Sequence, residues 1–487
     1  MDDRVTIGII IVSYLLLVTA VGLLSARMIK GSDDFLVAGR KFGPLLVVAG
    51  LTATHLGGGA VMGVSEDSFV YGYSGIAYSA GTAVGLTLLG LLSAKRLRNL
   101  SLYTITDFLA LRYNSKVVRG LAALLSIVAV TGIVAAQVSA AGGAFQILGI
   151  DPTIGAAIAV SLFIGYTFFA GMWGVAITDA MQLIIIVIGV PIACVIGLQT
   201  VGGFSGLQEF AAASDAVSAE TYFSPVGMGV MAMLGVMTPV IMYDLIGQDF
   251  YQRLFSARSG KVASASAIMA GVLLVLFGTF PVIGGMSARA MFGEDLEDSS
   301  SALPMLIVEV LPVWLAAILV AAILAAVMST ADSLLIAGST HITNDFYRKI
   351  MGRDQNGDST TTLRIARIST LVLGVGALTF ALLVPGIIQV LVLAYTMYAS
   401  GVFIPLILGL FWKRGTKEGA IAAILLGGLA GTSGAVGLVD YQVPDIMIGG
   451  AVSLVAFVVV SLLTKAPTEA ELALTRPVAA KEGSDIG

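Results

Sequence analysis

The sequence predicts an all-α polytopic membrane protein with a five-plus-five inverted repeat. Three observations carry that expectation: a very apolar composition, a succession of bilayer-length apolar runs, and two interrupted runs spaced five apart. Of 487 residues, 57% are hydrophobic and 11% charged, and the mean hydropathy is +0.97. Soluble domains carry about 25% charged residues, so an ordinary soluble globule is excluded.

A helix needs about 20 mostly apolar residues to cross a bilayer. Thirteen runs approach or exceed that length: 5–25, 45–71, 76–94, 117–148, 153–170, 175–197, 226–251, 263–286, 313–340, 365–383, 387–412, 420–438 and 446–463. The expected organisation is an N-terminal helix and loop over 1–42, a first five-helix repeat over 43–200, an extracellular loop over 201–225, a second repeat over 226–412, two C-terminal helices over 413–465 and a disordered tail over 466–487. The connections over 27–41 and 101–116 read as ordinary solvated segments.

Basic residues gather in cytoplasmic connections. Here they follow the odd-numbered runs: Arg27, Lys30, Arg40 and Lys41; then Lys95, Arg96, Arg98, Arg112, Lys116 and Arg119; then Arg253, Arg258 and Lys261. Arg348, Lys349, Arg353, Arg364 and Arg367 follow the ninth run, Lys413, Arg414 and Lys417 the eleventh, and Lys465, Arg476 and Lys481 the last. The other side holds Arg4 and Arg289 among acids such as Glu209, Asp215, Glu220, Glu294, Asp295, Glu297 and Asp298. The expected placement is the cell membrane, with the N-terminus outside and the C-terminus in the cytoplasm. Met1-Asp2-Asp3-Arg4 lacks the basic start of a cleaved signal, and the single Cys194 excludes an intrachain disulfide.

Run 45–71 carries Gly57, Gly58 and Gly59 near its middle, and three glycines in a row weaken a helix strongly. Run 226–251 carries Pro239 and then Tyr243-Asp244-Leu245-Ile246-Gly247-Gln248-Asp249-Phe250. Each break opens a set of five runs, and an odd number makes the two sets run in opposite senses, the pattern of an inverted-repeat transporter. A small-residue packing seam is the competing account of the glycines.

Within run 313–340, Ala326, Ser329, Thr330 and Ser333 share one helix face, with Asp332 on its flank. Such a face offers only oxygen ligands, which suit a hard cation. Hydroxyls bonding back one turn would explain Ser329 and Thr330 but not Asp332. Asp179 either caps the start of its run or reaches the interior, on one face with Gln182.

Ala326 to Ser333 with Asn344-Asp345-Phe346-Tyr347, Thr178-Asp179-Ala180-Met181-Gln182 and Gln252-Arg253 together resemble the sodium:solute symporter family, over roughly residues 5–463. The resemblance implies a LeuT-type core with one extra N-terminal and two extra C-terminal helices. It implies Na+ as coupling ion, held by carbonyls of Ala53, Leu56 and Ala326 and hydroxyls of Ser329 and Thr330. A second cation site would use Ser329, Asp332, Ser333 and Asp179, with a proton as alternative occupant. By position, solute contacts fall to His55, Gly57, Thr82, Gln137, Asp244, Gln248, Phe250, Tyr395 and Tyr398.

The stretch Thr52 to Gly59 is similar to choline transporters of the family. A choline cage needs aromatic rings, and the aligned His55, Ile133 and Gly247 supply none. Asp244 and Asp249 favour a zwitterion with an amine, such as proline. The expected function is sodium-driven import of a small organic solute by alternating access, with Phe250 as an inner gate. A proton-coupled importer, or one carrying a carboxylate or vitamin, is the alternative. A channel lacks its continuous polar stripe. An enzyme or sensor lacks a catalytic constellation, with only His55 and His341, one cysteine and no phosphate loop. The expected partners are the solute and the lipid bilayer, with no nucleic acid.

Overall fold

The computed structural model describes residues 3–25, 37–167, 172–214, 218–293, 296, 298–352, 359–384, 386–434, 437–439 and 442–473. Among them the chain is mostly helical and forms no strand; a single bridge joins Phe42 to Ala257. Nine of these helical stretches are long and apolar enough to cross a membrane. Several expected loop residues, among them Arg27, Lys30, Asp215, Glu294, Asp295, Glu297, Arg353, Arg476 and Lys481, lie outside the described residues, as does the tail from 474.

In chain order come α1 (Asp3–Ser25), then α2 (Pro44–His55), which Gly57 and a wide turn over Gly58–Gly63 separate from α3 (Val64–Tyr71). The third run forms α4 (Ala77–Leu89), a wide turn and α5 (Lys95–Asn99); α6 (Ile105–Tyr113) follows. Next are α7 (Lys116–Phe145), α8 (Pro152–Thr167), α9 (Met172–Thr200), α10 (Gly203–Ala213) and α11 (Ala219–Tyr222). The second broken pair is α12 (Val230–Asp244) and α13 (Gln248–Ser256), followed by α14 (Gly260–Phe292), α15 (Ala302–Val310) and α16 (Val313–Thr340). The chain ends with α17 (Ser359–Leu383), α18 (Ile387–Phe411), α19 (Lys417–Ser433), α20 (Asp445–Leu463) and α21 (Glu469–Ala473).

Both broken pairs sit inside the bundle. α14 packs along α2, α3, α4 and α9, while α16 packs against α1, α7 and α9. α18 crosses α7 and α12, and α19 and α20 pack on each other and on α18. The faces of α17 and α20 away from the bundle expose Ile368, Leu371, Val372, Val455 and Leu462, as a lipid-facing helix must.

The described parts of the connections read as solvated segments, 37–41 and 101–116, are in fact packed. Val37, Ala38 and Phe42 are buried, and Phe42 exchanges main-chain hydrogen bonds with Ser256 and Arg258. α6 starts at a capping box in which Thr104 and Asp107 satisfy each other's amides, and it buries Ile105, Phe108, Leu109 and Tyr113. Arg40 reaches across to the carbonyls of Ser101 and Leu102. Composition misled here because the layer's polar groups are matched to one another rather than to water.

Candidate functional site

The break between α2 and α3 is short. Gly57 turns the backbone to φ −94° and ψ −125°, and the helix resumes at Gly58. The freed amide of Gly58 donates to Oε1 of Gln137 on α7 at 2.9 Å, so a polar side chain of the bundle compensates the interruption. A Cβ on Gly57 would stand 3.0 Å from that same oxygen, 3.1 Å from the Thr330 hydroxyl and 3.5 Å from the Ala326 carbonyl. Glycine is what lets the break lie directly on α16.

On α16 the two hydroxyls behave differently. Thr330 bonds back to the Ala326 carbonyl at 3.0 Å, the ordinary habit of a membrane-helix hydroxyl. Ser329 instead donates across to Asp179 on α9. Each hydroxyl has one proton and two lone pairs. With both protons committed, the lone pairs are what remains for a cation.

Asp179 lies well inside α9 and is 3% exposed, so it does not cap that helix. Its other oxygen meets Arg253 of α13 at 3.3 Å, and Arg253 also donates to the Asp249 carbonyl. A chain of contacts thus runs from α16 through α9 to the second break. Next to it, a cavity of about 10 Å³ is walled by Thr178, Gln182, Ser329, Asp332 and two residues of α1, Leu15 and Val18. That is room for about one water-sized particle. Both ends of the buried Gln182 amide lack hydrogen-bond partners among the described residues.

At the second break the chain turns at Gly247, whose amide and that of Ile246 both bond the Tyr243 carbonyl. Tyr251 and Tyr398 donate to the carbonyls of Leu245 and Ile246. Asp244, the last residue of α12, is wholly buried, and neither of its oxygens has a hydrogen-bond partner among the described residues. His55 Nε2 approaches one of them at 3.6 Å, too far for a hydrogen bond, and has no hydrogen-bond partner among the described residues. Gly85 on α4 makes space for this carboxyl: a Cβ there would fall 2.6 Å from Asp244 Oδ2.

Aromatic rings close around that pair. His55 stacks on Phe250 at 4.9 Å between centroids, and Tyr243 stacks on Tyr395 at 4.2 Å. Tyr78 bonds His55 and Tyr395 at 3.4 and 3.2 Å, and the Tyr243 hydroxyl donates to Asp249 at 2.9 Å. Tyr78 and Tyr243 were not among the expected contacts. Tyr78 lies one turn before Thr82 on the same face, and that spacing was the available signal.

Of the expected solute residues, His55, Asp244, Phe250, Tyr395 and, at its edge, Tyr398 come together at this centre. Gly57 and Gln137 meet at the first break, and Thr82 is buried on α4 near Tyr78. Gln248 stands apart: its amide is tied to the main chain of Ile105 and Tyr103. Ala53, Leu56, Ala326, Asp332 and Ser333 are all buried. Aromatic rings do gather at the centre, from positions other than Ile133 and Gly247, so the sequence argument against a choline-type solute loses its footing.

The architecture is shared with sodium-coupled transporters of LeuT type: a sialic acid symporter captured substrate-bound and outward-open superposes with TM-score 0.78, covering 95% of this chain and 98% of that one at 19% identity. The model of the sodium:solute symporter family matches residues 35–427. This chain belongs to the sodium:solute symporter family, whose coupling ion is sodium. Its relatives include the sodium/proline symporter of Escherichia coli (strain K12), 26% identical over 94% of this chain and 93% of that protein. The high-affinity choline transporter 1 of Caenorhabditis elegans is 26% identical over 86% of this chain and 76% of its own length.

Proposed function

We propose that the chain imports a small organic solute carrying a cationic nitrogen, and that Asp244 holds that nitrogen among Tyr78, Tyr243, Phe250 and Tyr395. One observation carries this reading: a buried carboxyl whose two oxygens have no hydrogen-bond partner among the described residues, walled by aromatic rings, at a helix break. Buried carboxyls are normally paired, and an ammonium supplies both the charge and the donors. A zwitterion such as proline fits this chemistry, and the stacked rings equally favour a quaternary amine.

Sodium is assigned to the carbonyls of Ala53, Leu56 and Ala326 with the hydroxyls of Ser329 and Thr330. It would tie the first break to α16 and favour the outward-open state, which completes the solute centre. Release into a low-sodium cytoplasm loosens the tie. Each sodium entering gains about 2.3 kcal/mol per 100 mV of membrane potential. A second candidate cation site is assigned to Ser329, Asp179, Asp332 and Ser333, where Arg253 lies against Asp179; a proton is the competing occupant. The assigned topology is thirteen crossings, repeats over 43–200 and 226–412, the N-terminus outside, and insertion in the cell membrane.

Uptake into proteoliposomes under an imposed sodium gradient tests the solute class. Labelled proline or choline is expected to accumulate only with sodium, and pantothenate, which lacks an amine, is not. Accumulation of pantothenate with neither amine taken up would sink the Asp244 assignment.

A further inference from the structure

On the basic side of the bundle, away from the transport centre, a cavity of about 260 Å³ lies between the end of α6, the turn from α18 into α19, and the chain after α20. Arg112, Lys417 and Lys465 line it, against the two carboxylates Glu418 and Glu471. Arg112 is 2% exposed. Its Nε donates to the Gly409 carbonyl and its Nη2 to those of Trp412 and Lys413. Those acceptors are neutral, so the guanidinium charge has no counter-charge among them, and Nη1 has no hydrogen-bond partner among the described residues.

Neither carboxylate makes an ion pair with Arg112 among the described residues, and Glu471 adds only an attraction from beyond contact distance. Glu471 accepts from both the amide and the hydroxyl of Thr468, and Glu418 lies 3.7 Å from the exposed Lys417. Thr416 caps α19 at Gly419, which puts the positive end of a 17-residue helix at the same wall. Beside the cavity, Phe411, Leu462 and Leu463 are exposed, so the opening lies where α18 and α20 leave the apolar layer.

We propose that this cavity is a binding site for a phosphate group, supplied by the headgroup of an anionic phospholipid or by free phosphate. An arginine fork with an unused donor, two rim lysines and a helix N-terminus is the chemistry that recognises phosphate oxygens. The lysines hold the anion by charge; Arg112 orients it.

Thermal unfolding and native mass spectrometry of the full chain in detergent test this with phosphatidylglycerol, phosphatidylethanolamine and inorganic phosphate as separate additives. Phosphatidylglycerol or phosphate is expected to stabilise the protein and phosphatidylethanolamine not. Lys417→Gln with Lys465→Gln, both on the exposed rim, is expected to weaken binding about 30-fold, as losing two interfacial cations should. A gain from phosphatidylglycerol alone assigns the lipid as source, and a gain from phosphate the free ion. Arg112→Gln also removes three carbonyl contacts, so the double rim variant carries the decision. The site is refuted if no additive stabilises the wild type, or if the double variant gains as much as the wild type.

Discussion

In the proposed scheme Asp244 is the residue on which solute recognition turns. Its carboxyl lies within a shell of rings, one oxygen 3.6 Å from a histidine nitrogen that has no hydrogen-bond partner among the described residues. Asp244→Asn keeps the shape and removes the charge. Losing one partner of a buried ion pair costs about 2 kcal/mol or more, equivalent to about 30-fold in affinity. Solute KM is therefore expected to rise at least about 30-fold, with the sodium dependence of the residual uptake unchanged. Uptake kinetics in proteoliposomes at varied solute and sodium read both. A parallel loss of sodium affinity would mean that Asp244 serves the ion site instead.

At the scale of elements, the proposed coupling rests on α2 and α16 meeting at Gly57. Ser329→Ala with Thr330→Val removes two hydroxyls while conserving volume closely, so the protein is expected to reach the membrane and bind solute weakly without sodium stimulation. Uptake in sodium against uptake in an inert cation, at fixed pH, is the measurement, and unchanged stimulation counts against the assignment. Both breaks and the hydroxyl face were legible in the sequence, because glycine runs, Asp244 and Ser329 have no business in an apolar run unless function keeps them there. The aromatic wall was less legible. Tyr78 and Tyr243 look like core residues by periodicity, and only packing reveals that they face one carboxyl from different helices. Gln248 misled for the opposite reason: it sits at the second break, yet its amide serves the entry of α6.

Across the whole molecule, α16 carries the Ser329 and Thr330 hydroxyls in its middle and runs on through His341–Ile350 to a charged cluster on the basic side. There Arg119 bonds both Asp107 and Asp345, Lys349 bonds Asp107, and His341 bridges Asp345 to Ser126. The cluster fastens α6 and the start of α7 to the end of α16, so α6 shares the fate of the transport core. Burial by itself would raise the Asp107 carboxyl, but Lys349 and Arg119 outweigh it and hold the group below the usual carboxylate value. A carboxyl depressed in the folded state stabilises above its unfolded value of about 3.9, and that stabilisation is lost as pH falls through the lower folded value. Asp107→Asn is accordingly expected to cost about 1–3 kcal/mol at neutral pH, the worth of charge-assisted hydrogen bonds to a buried group. The gap from wild type should close as the medium is acidified below about pH 3.9. Lys349 is 41% exposed, so Lys349→Gln should cost less, about 0–1 kcal/mol, and should be blunted by salt. Melting curves in detergent over a pH series distinguish the two variants; a constant gap for Asp107→Asn down to the acid limit would show that its charge does not fasten these helices.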